Sequence, residues 1–476
     1  MTDFSSTNPE IQQEPGQSTP PDRRLFYGGL ALLGLTLGYY FFNAEVSSPA
    51  ELDEGLAIIV LAALPALRWA RRATYEFPVF EVFMLTGVNI YALPLLNGQS
   101  QLQIYSDAVV NQAASVVLLF QIIAIITHAA TRGHPRTTPF WTEEVISRDT
   151  GKYLGYGLVL TTIYIGIANF SDVIPSDLKA PLRAVFYGIG IISAFIQGRR
   201  WGQDDLAYQE KIFFIANIAL QVAFNFATLY LIQGISVIVL TLLGYVSGGK
   251  RPPIVAMAIV LPLIALLHNG KSTMREKYWE TEGAAMPALA DLPGFFTEWI
   301  HDGMESHQKS GLTNNLIQRT SLFQMTCLVV DKSPDQLPFL NGKTYGQIPG
   351  QFVPKFFWAE KPVANISTYT LSIYYGLQRP EDTLKTTIAF GLLAEAYANF
   401  GFYGAGLLAF VFAFCLKKYG LWAQQSPILS YAGLLLVLLM AWSFQTEMTL
   451  SIWLSSLFQA TVTVLGIPLV MRHFLG

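Results

Sequence analysis

Charge is what this chain has least of. Asp, Glu, Lys and Arg make up 13% of its 476 residues, about half the share of a soluble domain, which indicates a lipid solvent before any motif is sought. Cysteine is almost absent: Cys327 stands in a polar region and Cys415 in an apolar run, which argues against a disulfide framework or a cysteine-based metal site. No P-loop, no G-x-G-x-x-G before a helix and no H-E-x-x-H spacing occurs, so ATP-driven and metal-centred chemistry lack local support. Cofactor and metal are therefore both expected to be none. Heptads, tandem repeats and a strong inverted repeat are missing too. The formal net charge of −3 decides little, and no nucleic-acid partner is expected.

What is present is apolar sequence, 52% of the chain, in runs long enough to cross roughly 30 Å of hydrocarbon. About twelve occur (11–13, several being short), near 25–42, 55–69, 77–96, 108–129, 153–170, 181–197, 213–231, 234–248, 253–268, 402–416, 427–445 and 450–470. Irregular backbone cannot face lipid, so these runs predict helices and an all-α polytopic membrane protein. The polar, Pro/Ser/Gln-rich residues 1–22 read as a disordered cytoplasmic tail. The first span reads as an uncleaved signal anchor.

With the N-terminus in the cytoplasm, alternate loops collect the cations. Arg68, Arg71, Arg72, Arg132, Arg199, Arg200, Lys250, Arg251, Lys417 and Lys418 fall inside, whereas the short outer loops hold almost none beyond Lys179 and Arg183. This positive-inside pattern leaves both termini cytoplasmic and residues 269–401 outside. The chain then divides into the tail 1–22, a bundle of about nine spans over 23–268, a large outer loop over 269–401, and about three spans over 402–476. Long irregular loops on compact scaffolds are usually functional. Within this loop "DLPGFFTEWIHDGMES" predicts a short amphipathic helix, "TNNLIQRTSLFQMTCLVVDK" is helical in period, and "NGKTYGQ" reads as a spacer.

Four stretches of the loop bear residues suited to chemistry. "HNGKSTMREKYW" sets Lys271, Arg275 and Lys277 at the outer membrane surface. Lys271 and Arg275 share a helix face, where they could grip a phosphate or pyrophosphate or merely contact headgroups. Arg319, among apolar residues in "NNLIQRTSLFQ", needs either a substrate phosphate or an acidic partner such as Asp331 or Glu305. "IPGQFVPKFFWAEKP" combines Pro349, Pro354 and Pro362 with Lys355, Lys361, Phe356, Phe357 and Trp358. The prolines predict an extended course rather than interior helix or central strand, and the rest suits either sugar faces or an interfacial aromatic belt. Finally, "TTIAFGLLAEAYANFGFYG" holds Glu395 in a nearly uncharged helical run, one turn before Asn399. A carboxylate there suits proton transfer, or it pairs with a loop cation. His301 and His307 are weaker general-base candidates. Glu81 and Asn111, inside apolar runs, read as helix-to-helix hydrogen-bonding groups.

In this order, "GKSTMREKYW", "NNLIQRTSLFQ", "GKTYGQIPGQFVPKFFWAEKP" and "TTIAFGLLAEAYANFGFYG" resemble the bacterial oligosaccharide repeat-unit polymerases, the O-antigen polymerase (Wzy-type) group, over roughly residues 250–420. Members often carry Arg where this chain has Lys355, so a point charge replaces a bidentate fork there. The resemblance implies a GT-C-like, metal-independent glycosyltransferase of the bacterial cytoplasmic (inner) membrane. Its substrates would be polyprenyl-pyrophosphate-linked oligosaccharides, joined on the outer face, with a chain-length regulator and a flippase as companions. Arg275 and Arg319, supported by Lys271, Lys355 and Lys361, would hold pyrophosphate. Glu395 is the first choice of base and Glu360 the second, while Trp358, Tyr397 and Asn399 would contact sugar or lipid. The rival readings are an O-antigen ligase leaning on an outer-loop histidine, and a transporter of lipid-linked saccharides.

Overall fold

The computed structural model describes residues 23–475 apart from 72–76, 134–143, 145–147, 172, 230, 281–286, 311–320, 354–356, 359, 385–386 and 425. The expected disordered tail, Arg319, Lys355 and Phe356 thus lie outside the described residues. Among the described residues the fold is all-helical, and the sole β pairing is an isolated bridge between Glu144 and Ser430.

Every apolar run named above falls on a helix. These are α1 (Arg23–Asn43), α2 (Pro49–Ala70), α3 (Val79–Leu96), α4 (Asp107–Ala130), α5 (Arg148–Phe170), α6 (Ser176–Gly202), α7 (Tyr208–Ala227), α8 (Leu231–Ser247) and α9 (Ile254–Arg275). The polar loop contributes α10 (Leu292–Ser310), α11 (Phe323–Lys332) and α12 (Ile366–Tyr374), and the chain ends with α13 (Gly391–Ala423), α14 (Tyr431–Ser443) and α15 (Leu450–Leu475). Among the described residues six helices are long and apolar enough to cross a membrane, and four shorter apolar ones accompany them. This is a membrane protein.

The helices form two groups. In the first, α13 packs along α4 and α11 beside α2 and α3, around a core that includes Phe323, Phe390, Tyr397, Phe412 and Trp442. In the second, α5 to α8 pack together and α9 lies on α10, around Tyr164, Phe224, Leu267 and Trp299. α15 reaches from α14 to α6 and joins them.

Water-driven burial is unavailable between helices in lipid, so close approach depends on small residues. The α6–α8 contact is built this way, from two Gly-x-x-x-Gly pairs that the sequence reading passed over. A Cβ on Gly198 or Gly202 would stand 2.4 Å or 2.1 Å from the carbonyl oxygens of Thr241 and Tyr245. One on Gly244 or Gly248 would stand 2.1 Å or 2.5 Å from those of Phe195 and Arg199.

Proline has a different use in α3. Pro94 has no N–H to give the carbonyl four residues back, that of Ile90. The helix relaxes into a π turn over Val88–Ala92, and the Ile90 oxygen accepts the Leu322 N–H at 3.2 Å instead. The start of α11 is thereby tied to the bundle.

α13 is two helices joined at a kink. Phe400 (φ −143°) and Gly401 (φ 59°, ψ −142°) break it into residues 391–399 and 402–423. The break falls where the outer loop was expected to end and a span to begin. From Gly391 to Asn399 every residue is buried.

Candidate active site

Glu395 sits in the middle of this buried half-helix, and three sets of contacts hold the half-helix in place. At its N-terminal end the N–H groups of Gly391 and Leu392 donate to the Glu447 and Thr446 carbonyls, at 3.0 and 3.2 Å. Gly391 adopts φ +79°, a conformation open to glycine without strain. At the other end the N–H groups of Leu340 and Asn341 donate to the carbonyls of Ala398 and Asn399, and the Gly342 N–H donates to Asn399 Oδ1 at 3.0 Å. Asn399 Nδ2 donates to Thr344 Oγ1 at 2.8 Å and to the Glu395 carbonyl. The stretch "NGKTYGQ", expected to be a spacer, is therefore a strap across the half-helix, with Asn341 and Gly342 at positive φ making its turn.

The third contact is to Glu395 itself. Its Oε2 accepts the Leu450 N–H at 2.6 Å, and Leu450 is the first residue of α15. A carboxylate at a helix N-terminus satisfies an otherwise orphan amide and meets the positive end of the helix dipole. Instead of the loop cation proposed as its structural partner, Glu395 has this backbone amide. Its Oε1 meets no hydrogen-bond partner among the described residues, and Thr344 stands beside the carboxyl. α12 completes the surround, with Ser367 Oγ donating to the Thr344 carbonyl at 3.1 Å and Thr368 Oγ1 3.2 Å from Thr449 Oγ1.

Alongside lies an apolar groove of about 670 Å³ between residues 402–423, α14 and α15, with Tyr345, Ile348 and Phe352 across its end. Leu450, Trp453, Leu457 and Cys415 line it. Tyr345 connects the groove to the carboxylate: burial, and then the Glu395 charge, push its phenol far above the usual range, so it stays a neutral hydroxyl.

The remaining candidates divide. Lys271 faces Glu447, in the turn between α14 and α15. The Glu447 side chain is exposed, and the protein packed around it pushes its carboxyl up, with Lys271 pulling the other way. Arg275 is half-buried and donates through Nη2 to the Leu229 carbonyl at 3.2 Å, bracing the α7–α8 turn where Leu229 has φ +58°. Lys277 pairs with Glu298.

Lys361 donates to the carbonyls of Gln351 and Val353 at 3.1 and 2.9 Å. Its ammonium closes the proline-aromatic segment on itself rather than projecting from it. That segment also departs from the extended course expected of it. Ile348–Gln351 is a helical turn with Pro349 in its first turn, the one helical place where a missing N–H costs nothing. Trp358 lies over Gly350, 44% exposed, and Glu360 is exposed.

Tyr397 and Asn399, expected at sugar or lipid, are both fully enclosed. The Tyr397 hydroxyl accepts from Gln112 at 3.2 Å, and its ring meets Phe339 and Phe402 edge-on. His301 is exposed with Nδ1 3.9 Å from Asp302, and the His307 side chain is outside the described residues. Glu81 is buried in α3, and Asn111 is half-buried in α4 with Oδ1 enclosed.

Glu447 is the residue that sequence reasoning missed. It is the lone charged residue between Lys418 and Arg472, and that isolation was the available signal. The family model described as "Domain of unknown function (DUF8712)" matches residues 206–426. The match takes in Lys271, Arg275, Arg319, Lys355, Lys361 and Glu395 and stops before Glu447. No curated protein and no solved structure matches the chain.

Proposed function

We propose that the protein is a membrane glycosyltransferase of the oligosaccharide-polymerase type, GT-C-like, with about twelve spans and both termini cytoplasmic in a bacterial inner membrane. The observation that carries this reading is the meeting of a buried carboxylate with a long apolar groove at one residue, Leu450. The groove is of the size and character to take a polyprenyl chain.

On this reading the donor is a glycan on polyprenyl pyrophosphate. Lys271 and Arg275, together with Arg319 and Lys355, stabilise the charge on the departing pyrophosphate. The acceptor hydroxyl of an incoming lipid-linked unit loses its proton to Glu395 as its oxygen bonds to the anomeric carbon. The bond from that carbon to the pyrophosphate oxygen breaks, and the carrier leaves as the pyrophosphate anion. Lys361 acts through the backbone, holding the shape of residues 351–361. Glu395 has no exposed surface, so the acceptor reaches it when the strap at 340–345 lifts.

The test is incubation of the purified protein with one lipid-linked repeat unit. A ladder of multimers together with free polyprenyl pyrophosphate is expected. Unchanged substrate in active lipid and detergent conditions overturns the reading, and movement of intact substrate across a vesicle membrane would instead mark a transporter.

A further inference from the structure

A second cavity, of about 610 Å³, opens at the other end of the bundle, where α2, α4 and α13 finish. The Tyr397 hydroxyl, two residues from Glu395, meets Gln112 near the start of α4, and His128 of the cavity lies 16 residues further along that unbroken helix, roughly 24 Å by helical rise and most of the thickness of the hydrocarbon core. The cavity therefore belongs to the membrane face opposite Glu395, the face where the cation-rich loops gather.

Its lining is selective. Arg68, Arg132 and Lys417 converge on it, and Glu81 is the single acidic residue among the described lining. Below them His128 is buried and stacks on Phe80, with ring centroids 4.0 Å apart. Other cations at this face contact groups outside the cavity. Arg71 lies over the Phe26 ring, Arg199 donates to the Ser247 carbonyl, Arg200 pairs with Asp205 and Lys250 with Asp204. Lys418 donates to the Arg132 carbonyl at 2.6 Å, which steadies the backbone carrying one of the three. Positive-inside placement accounts for cations at this face, but not for three of them meeting over a concave site with apolar walls at Ile125 and Leu421.

We infer that this cavity binds a phosphate group, with Arg68, Arg132 and Lys417 as its ligands. Two guanidinium forks and an ammonium suit a phosphate ester, and basic pockets between membrane helices take anionic headgroups. The phosphate arrives either on a lipid, with its chains along the apolar wall, or on a small water-soluble ester.

The experiment is native mass spectrometry of the delipidated full chain, titrated separately with phosphatidylglycerol, phosphatidylcholine and glycerol 3-phosphate. Phosphatidylglycerol is expected to bind first and in preference to phosphatidylcholine. Arg68→Gln and Arg132→Gln should each weaken it about tenfold, in keeping with the loss of a charged hydrogen bond. Arg71→Gln and Lys250→Gln, at the same face but outside the cavity, should leave it unchanged. Arg68→Lys, which keeps the charge and loses the fork, should fall between and guards against a folding defect in the glutamine variant. If glycerol 3-phosphate binds with the same ranking of variants and the lipid does not, the site holds and its ligand is the soluble ester. Equal binding of the two lipids, equal loss from Arg71→Gln and Arg68→Gln, or binding of neither phosphate compound overturns the proposal.

Discussion

The Glu395 carboxylate accepts the Leu450 N–H at 2.6 Å while the Leu450 side chain lines the apolar groove. One residue thus serves two environments. Its amide orients the group proposed to accept a proton, and its side chain forms the wall proposed to hold a lipid tail. Any variant that disturbs one is expected to register in the other.

Glu395→Gln and Glu395→Ala should separate chemistry from architecture. The amide of Gln retains an oxygen for the Leu450 N–H, so the melting midpoint should change little. Ala leaves that amide without its acceptor and should cost about 1–3 kcal/mol. Both should lose multimer formation, by roughly 10²–10⁴-fold for a missing base. A Gln variant that builds ladders at the native rate would reduce Glu395 to a cap on α15.

Glu447 makes stability depend on pH in a definite direction. Burial raises its carboxyl in the folded state, and Lys271 offsets this in part. The folded chain then holds a proton that the unfolded chain has released, so this group's contribution to stability falls as pH rises through and above the ordinary carboxylate range. Melting midpoints across that interval should decline less steeply in Glu447→Gln. An identical slope in both proteins rejects the assignment.

The two cysteines report on the groove. Burial pushes the Cys327 thiol well up, which leaves little of the reactive thiolate, whereas Cys415 is exposed on the groove wall. A lipophilic maleimide should label Cys415 and spare Cys327 in the folded protein. Polyprenyl phosphate should slow Cys415 labelling severalfold. Labelling indifferent to that lipid means the groove holds something else.

Gly401→Ala should be far more damaging than a change at a glycine in open space. Gly401 has φ 59° and ψ −142°, and a Cβ there would stand 2.8 Å from the Phe339 ring. A loss of about 1–3 kcal/mol is expected from the backbone alone. Gly34→Ala, in open space within α1, should be neutral or slightly stabilising. Equal melting midpoints for the two variants would show that the break in α13 carries no strain.

Hydropathy made the helices legible, because lipid leaves the backbone few alternatives. Glu395 stood out for a related reason, a charge where almost none is found. Contacts made by backbone atoms were hidden. The strap at 340–344 docks through main-chain amides and one Asn side chain, and its turn-forming composition looks the same whether it docks or floats. Lys361 reads as a free cation until the carbonyls of Gln351 and Val353 are found around its ammonium. The α6–α8 glycines were hidden by the opposite problem: glycine is common in this chain, with 38 residues, and only the partner helix shows which ones are pressed against a carbonyl.

The break at Phe400–Gly401 has a mechanical meaning. Across it Phe400 and Gly401 leave helical φ/ψ, so the two parts of α13 meet at a bend, one held by the strap and the 446–450 turn, the other by its neighbours beside the groove, with Gly404 packed on the Ala396 carbonyl between them. On the proposed reading, a lipid entering the groove meets residues 402–423 first, while Glu395 is held to Leu450 from its own half-helix. On that reading the joint is a strain relief, letting a bulky tail slide past while the carboxylate keeps its aim.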